Sequence, residues 1–146
     1  MDVLKWLREQ GCPWNSQTCS AAAGGGHLAV LQWARENGCD WTREICSDAA
    51  RGGHLEVLGW ALANGCSGDV STCEAAAQHP LPLLQLARES GCDWDARTCA
   101  AAAKAGRMDV LQWAREQGCP WVAKDVCRYA ASNGHVEIAQ WVKEQG

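Results

Sequence analysis

The chain has 146 residues, a formal net charge of −4 and a pI near 5.5, with Lys and Arg scattered singly along it. That balance argues against nucleic acid as a partner, because phosphate binding needs clustered positive charge. No apolar run approaches the roughly 18–20 residues of a membrane span, and the opening Met-Asp-Val-Leu-Lys-Trp-Leu-Arg lacks the apolar stretch of a signal peptide, so the expectation is a cytoplasmic protein with no membrane contact.

Residues 1–10, MDVLKWLREQ, read as the back half of a repeating unit. Five units follow, at 11–37, 38–64, 65–90, 91–117 and 118–145, and the whole is expected to be a single repeat domain. One such unit is too small to bury its own apolar face, so neighbours must stack into a continuous core. The two oddities of composition, nine Trp without Phe and ten Cys, both come from the repeat.

Within the first unit, 15–23 contains no Gly or Pro and ends in three alanines, which predicts a helix. Asn15 stands at the N-cap, and Thr42, Asp69 and Asp95 fill the same slot in the next three units. Gly24 to Gly26 end this helix, and a second runs from about Leu28 to Asn37. Leu28, Leu31 and Ala34 share one face of it, Val30 and Trp33 lie beside them, and Arg35 and Glu36 point away. Gly38 closes the second helix, as Gly11, Gly65, Gly91 and Gly118 do elsewhere, which suits a left-handed C-terminal residue. Nothing alternates with period two, so no strand is expected.

The stretch AAxxGHLEVLxxxxENG resembles the second half of an ankyrin repeat. Ala49, Ala50, Gly53, His54, Leu55, Glu56, Val57, Leu58, Asn64 and Gly65 stand in the ankyrin order and spacing, and the likeness extends over all five units. The ankyrin period is about 33 residues; here it is mostly 27. The difference falls where an ankyrin unit builds its β-hairpin finger, and the turn motif shrinks to the pairs Thr18–Cys19 and Thr98–Cys99. The resemblance implies an all-α, hairpin-less ankyrin-like solenoid of stacked antiparallel helix pairs, similar to the GCPWD-type arrays of large DNA viruses, algae and oomycetes. It implies recognition of a protein or peptide on a curved helical surface, without the usual finger-tip contacts.

Each unit carries two cysteines, spaced C-x6-C in Cys12/Cys19, Cys39/Cys46, Cys66/Cys73 and Cys92/Cys99, and C-x7-C in Cys119/Cys127. Three readings stand: small hydrophobes packed in the core, metal ligands with a histidine such as His27, or redox-active thiols. Structural zinc wants four ligands, usually with a close C-x2-4-C pair, which is lacking. His79-Pro80 and Gly106-Arg107 also break the histidine column. No cofactor or metal is therefore expected.

Tryptophans form two columns: Trp14, Trp41, Trp94 and Trp121 in the loops, and Trp6, Trp33, Trp60, Trp113 and Trp141 on the second helices. The expectation is a stacked ladder that replaces the packing of the missing hairpins; the alternative is an exposed aromatic groove. Unit three is one residue short, holds Gly68 and Leu86 at the Trp places, and has Gln78-His79-Pro80 in place of Gly-Gly-His.

Positions that vary between units are free to meet a partner. They fall at the start and outward side of the first helix, and the candidates are Arg43, Asp48, Arg51, Glu74, Arg97, Lys104, Arg128 and Tyr129. Arg128 and Tyr129 stand out because Arg and Tyr are enriched in binding hot spots. No Gly-rich phosphate loop and no nucleophile with a plausible base is present, so catalysis is not expected. The reading is a protein–protein interaction scaffold. The alternatives are a metal- or redox-responsive cysteine array, and a designed or excised structural array with no partner of its own. Leu4, Trp6 and Leu7, at an unsheltered end, lead to an expectation of end-to-end self-association.

Overall fold

A computed structural model describes residues 9, 11, 16–38 and 44–145. Among them the chain forms ten helices and no strand. They run as pairs: α1 (Ser16–Gly24) with α2 (Leu28–Glu36), α3 (Glu44–Arg51) with α4 (Leu55–Ala63), α5 (Val70–Ala76) with α6 (Leu81–Glu89), α7 (Ala96–Ala105) with α8 (Met108–Glu116), and α9 (Ala123–Ser132) with α10 (Val136–Gln145). The fold is all-α, with successive pairs stacked in chain order.

Side-chain size sets how the stack is built. The first helices α1, α3, α5, α7 and α9 pack closely against one another in a row, whereas α4, α6 and α8 touch only lightly. Fully buried alanines line the first row: Ala23, Ala49, Ala50, Ala76, Ala77, Ala102, Ala103 and Ala130. Small residues let helix axes approach, since interaxial distance follows the side chains at the contact. The second helices bring larger groups inward, Leu31, Leu58, Leu84, Leu111 and Ile138, with Val57, Leu83 and Val110 beside them. These hold their row farther apart than the alanines hold the first helices. Truncating one such leucine to alanine costs about 2–5 kcal/mol.

The recurrent glycines punctuate both helices of a pair. Gly65, Gly91 and Gly118 have φ of 92°, 92° and 84°. The next residue turns back, with Cys66 N–H donating to Ala61 O at 3.0 Å, Cys92 to Ala87 O at 3.0 Å and Cys119 to Ala114 O at 2.9 Å. This six-to-one closure with a left-handed Gly is a Schellman motif, which satisfies a helix-end carbonyl and turns the following residue inward. The same closure ends the first helices. Gly26, Gly53, Gly106 and Gly134 have φ of 72–78°, and His27, His54, Arg107 and His135 donate back to Ala22, Ala49, Ala102 and Ala130. Among the described residues a Cys follows the closure at Gly65, Gly91 and Gly118, and a His follows the one at Gly26, Gly53 and Gly134.

N-terminal caps follow the sequence expectation at Asp69 and Asp95, whose carboxylates accept from Ser71 N and Thr72 N, and from Arg97 N. Asn15 and Thr42 lie outside the described residues, and Val122 starts α9 without a side-chain cap. Unit three keeps its place in the stack. Pro80 occupies the N-cap of α6 and Pro82 its first turn, where no helical N–H is lost. Leu4, Trp6 and Leu7 lie outside the described residues. No described helix is long and apolar enough to cross a membrane.

Candidate binding face and the seams behind it

The described candidate positions fall on the alanine-rich row. A groove of about 400 Å³ between α1 and α3 is lined by Ser20, Ala21, Gly24, Asp48, Arg51 and Gly52. A smaller one, about 130 Å³, lies between α7 and α9 and is lined by Ala96, Arg97, Ala100, Val122, Asp125, Val126 and Tyr129. Five of the eight candidates line these two grooves or the ion pair at their rims: Asp48, Arg51, Arg97, Arg128 and Tyr129. Glu74 is half-buried on α5 between them, and Arg43 lies outside the described residues. A third groove, between α8 and α10, is lined by Gln112, Arg115, Glu116, Trp141 and Gln145.

The charges of this face are arranged in short local pairs. Arg51 meets Asp48 at 3.1 Å, Arg97 meets Asp95 at 2.9 Å and Arg128 meets Asp125 at 3.2 Å, all with substantial exposure. Exposed pairs of this kind contribute little to stability. The Arg97 guanidinium holds the Asp95 carboxyl below the usual carboxylate range through its hydrogen bonds. Tyr129 lies beside two cations. Lys104 Nζ lies 4.6 Å from its ring centre and Arg128 Cζ 5.1 Å, so two cations flank one half-buried aromatic ring.

The packing between units departs from the sequence expectation at four points. The first concerns histidine. His54 Nε2–H donates to Gly24 O at 3.0 Å, His79 to Arg51 O at 2.9 Å and His135 to Lys104 O at 3.1 Å. Each ring reaches an otherwise unpaired carbonyl in the last turn of the preceding unit's first helix. His79 thus keeps the column that Gln78-His79-Pro80 was expected to break; only Arg107 departs from it.

The second concerns cysteine. The described thiols Cys19, Cys46, Cys66, Cys73, Cys92, Cys99 and Cys119 are buried and Cys127 is half-buried, none in a disulfide, which accords with packing. They meet across units rather than within them. Cys46 Sγ donates to Cys66 Sγ at 2.6 Å; in the same register Cys73 Sγ donates to Cys92 O at 3.7 Å beside the Cys92 thiol, and Cys119, beside the Cys99 thiol, donates to Asp95 O at 3.6 Å and Pro120 O at 3.5 Å. The C-x6-C spacing hides this, because the partner is the first cysteine of the next unit. Among the described residues no three His, Cys, Asp or Glu side chains converge as metal ligands would.

The third concerns tryptophan. The described tryptophans are half-buried at the border of the core rather than inside it. Loop and helix columns join edge to face within a unit, Trp94 with Trp113 at 5.8 Å and Trp121 with Trp141 at 5.7 Å between ring centres. Trp14 and Trp41 lie outside the described residues. At Gly68 an added Cβ would run into Cys92 Sγ, so in unit three a thiol lies directly against the glycine that stands at the tryptophan place.

The fourth concerns arginine. In the first unit Arg35 was expected to point away from the apolar face, and Arg88 and Arg115 are its counterparts. Arg88 and Arg115 instead reach the next loop, each donating through Nη1 at 2.6 Å to Cys92 O and Cys119 O. Their guanidiniums cover Trp94 at 4.2 Å and Trp121 at 4.4 Å. The aliphatic stem lets the charge remain partly wet while the head clamps a neighbour.

No protein-family model matches the chain, and no curated protein matches it.

Proposed function

We propose that the chain is a non-catalytic, cytoplasmic scaffold that binds a protein or peptide partner along its first-helix row. It is an ankyrin-like array in which short Gly-Cys closures replace β-hairpins. The observation that carries the reading is the coincidence of two independent features on one row. Four of the eight candidate positions that differ between units, Asp48, Arg51, Arg97 and Tyr129, line the grooves between α1 and α3 and between α7 and α9. The seams consume the recurrent Ala, Cys, His, Gly, Trp and Arg, and the variable residues are left at the surface. Around Tyr129 the groove has an apolar floor of Ala96, Ala100 and Val126 with Arg97 and Asp125 at its edge, which suits an extended segment with one apolar anchor and flanking polar groups.

The test is selection from a random peptide display library on the immobilised protein. Enriched peptides should lose binding at least tenfold to Tyr129→Ala, a variant checked by circular dichroism to be folded. Enrichment of peptides indifferent to Tyr129→Ala and Arg51→Ala but lost on Gln112→Ala, in the α8/α10 groove, would move the binding face to the other row. No enrichment at all would count against a peptide-binding scaffold.

A further inference from the structure

The thiol pairs carry an inference independent of the binding reading. Three pairs recur in one register: Cys46 Sγ meets Cys66 Sγ at 2.6 Å, Cys73 Sγ reaches the backbone of Cys92 at 3.7 Å, and Cys99 neighbours Cys119. In each, the first member lies near the start of a first helix, and the second follows the Gly that closes the next unit's entry loop. Both members are 7% exposed or less. The pairs therefore bridge successive units at the N-terminal end of the first-helix row, opposite the histidine bonds at its C-terminal end.

We propose that these three pairs are oxidation sites at which a low-molecular-weight disulfide converts the stack into a covalently cross-linked array, one disulfide per seam. Packing alone asks only for small apolar groups at these places, which alanine would supply, as it does along the rest of the row. At the Cys46/Cys66 seam the two sulfurs face one another at 2.6 Å, the proximity that a disulfide needs, and the other two pairs share its register. Within the first pair, Cys46 donates to Cys66 and is held protonated, while the accepting Cys66 is lowered from the ordinary thiol value by that bond. The accepting member is thus the one that ionises first and acts as nucleophile.

The exchange balances with glutathione disulfide as the oxidant. The thiolate of one cysteine attacks a glutathione sulfur, forming a protein–glutathione mixed disulfide and expelling one glutathione thiolate. The facing thiol loses its proton and attacks the protein sulfur of that mixed disulfide, expelling the second glutathione. Two protein thiols are oxidised, one glutathione disulfide is reduced to two glutathione thiols, and the two protons that leave the protein end on the two expelled glutathione thiolates. Because the sulfurs are buried, the first step requires a transient opening of the seam, so oxidation is slow in the folded protein and faster where a seam is weakened.

The experiment equilibrates the folded protein in graded glutathione buffers, quenches with acid, alkylates free thiols in denaturant and maps tryptic peptides by mass spectrometry. Trypsin separates Cys46 from Cys66, Cys73 from Cys92 and Cys99 from Cys119. The expected result is three cross-unit linkages and a mass lower by about 2 Da for each disulfide formed, with an unchanged far-UV spectrum and a raised melting temperature. In Cys66→Ala the Cys46 linkage should vanish and the other two persist, which keeps the outcome readable even if one variant fails to fold. Linkages within units, between Cys66 and Cys73 or between Cys92 and Cys99, would overturn the proposal. So would thiols that stay reduced in the native protein yet oxidise once it is unfolded in urea.

Discussion

The ring of His79 donates to the carbonyl oxygen of Arg51 at 2.9 Å, although it stands one position farther from its second helix than His54 does. Unit three has lost one residue and both tryptophans, yet this inter-unit bond survives. His54 precedes Leu55 directly, whereas Pro80 separates His79 from Leu81. Pro80 has no N–H for the closure that places His54, and the earlier position of His79 carries its ring back to the same carbonyl. The constraint at this place is a donor for a helix-end carbonyl, and the exact sequence that delivers it is free to change.

Glycines beneath these rings should be less tolerant than the other left-handed glycines. A Cβ on Gly53 would lie 2.8 Å from His79 Nδ1, and one on Gly26 or Gly106 2.6 Å from His54 or His135, whereas Gly65 and Gly118 have open space. Gly65→Ala should cost about 1–2 kcal/mol from its positive φ alone. Gly53→Ala should cost more than that and should also lose the His79 bond, worth roughly 0.5–1.5 kcal/mol. Urea denaturation of the two variants checks the order; equal midpoints would contradict it.

Two equivalent threonines should answer differently to removal of the hydroxyl. Thr72 Oγ1 accepts from Asp69 N at 3.3 Å, completing a capping box. Thr98 Oγ1 is buried without a partner, and in its unit the Asp95 carboxylate is engaged by Arg97 through both the backbone N–H and the guanidinium. Thr72→Val should therefore destabilise by about 1 kcal/mol. Thr98→Val should be neutral or stabilising, because an unsatisfied hydroxyl leaves the core. Thermal melts of both variants decide the matter, and a larger loss at position 98 would refute the assignment.

Much of this architecture is legible in the residues. The Gly-Cys and Gly-His pairs mark both helix ends, Asp69 and Asp95 mark N-caps, and Leu31, Leu58 and Leu111 mark the buried stripe, because each signal is local. The seams are not legible in the same way. His54 and His135 bond backbone carbonyls, which have no side-chain signature, and their partners lie 30 and 31 residues away. Cys46 looks paired with Cys39 by spacing but meets Cys66, because stacking sets the neighbour. Arg88 and Arg115 read as the wet side of an amphipathic helix, and only the position of the next loop shows what they cover. For the candidate face, comparing units picked out residues of the first-helix row but gave no signal for the grooves, which depend on how first helices meet.

Alkaline pH should weaken the stack. Cys46, Cys73 and Cys119 are pushed well above the ordinary thiol value of 9.0, first by the hydrogen bond each makes to its partner thiol and then by burial. A raised folded-state value means that the folded chain keeps a proton the unfolded chain has released. That contribution is intact below about pH 9 and is lost as pH rises beyond it. Under reducing conditions the denaturation midpoint should fall above pH 9, less steeply in Cys46→Ala/Cys66→Ala. A midpoint that rises or stays level for the unsubstituted protein would contradict the buried thiol pairs.

Removing an arginine clamp should be visible in fluorescence. Arg88→Ala takes away both the cover over Trp94 and the donor to Cys92 O. The expected outcome is a red-shifted emission and a loss of about 1–2 kcal/mol. An unchanged spectrum and stability would show that the guanidinium does not hold the loop.

The most direct test of the stacked seams is a two-dimensional NOE spectrum of the protein in solution. The account predicts cross-peaks from the His54, His79 and His135 ring protons to the α-protons of Gly26, Gly53 and Gly106, each pair joining one unit to the unit before it. Ring protons that contact only residues of their own unit would contradict it.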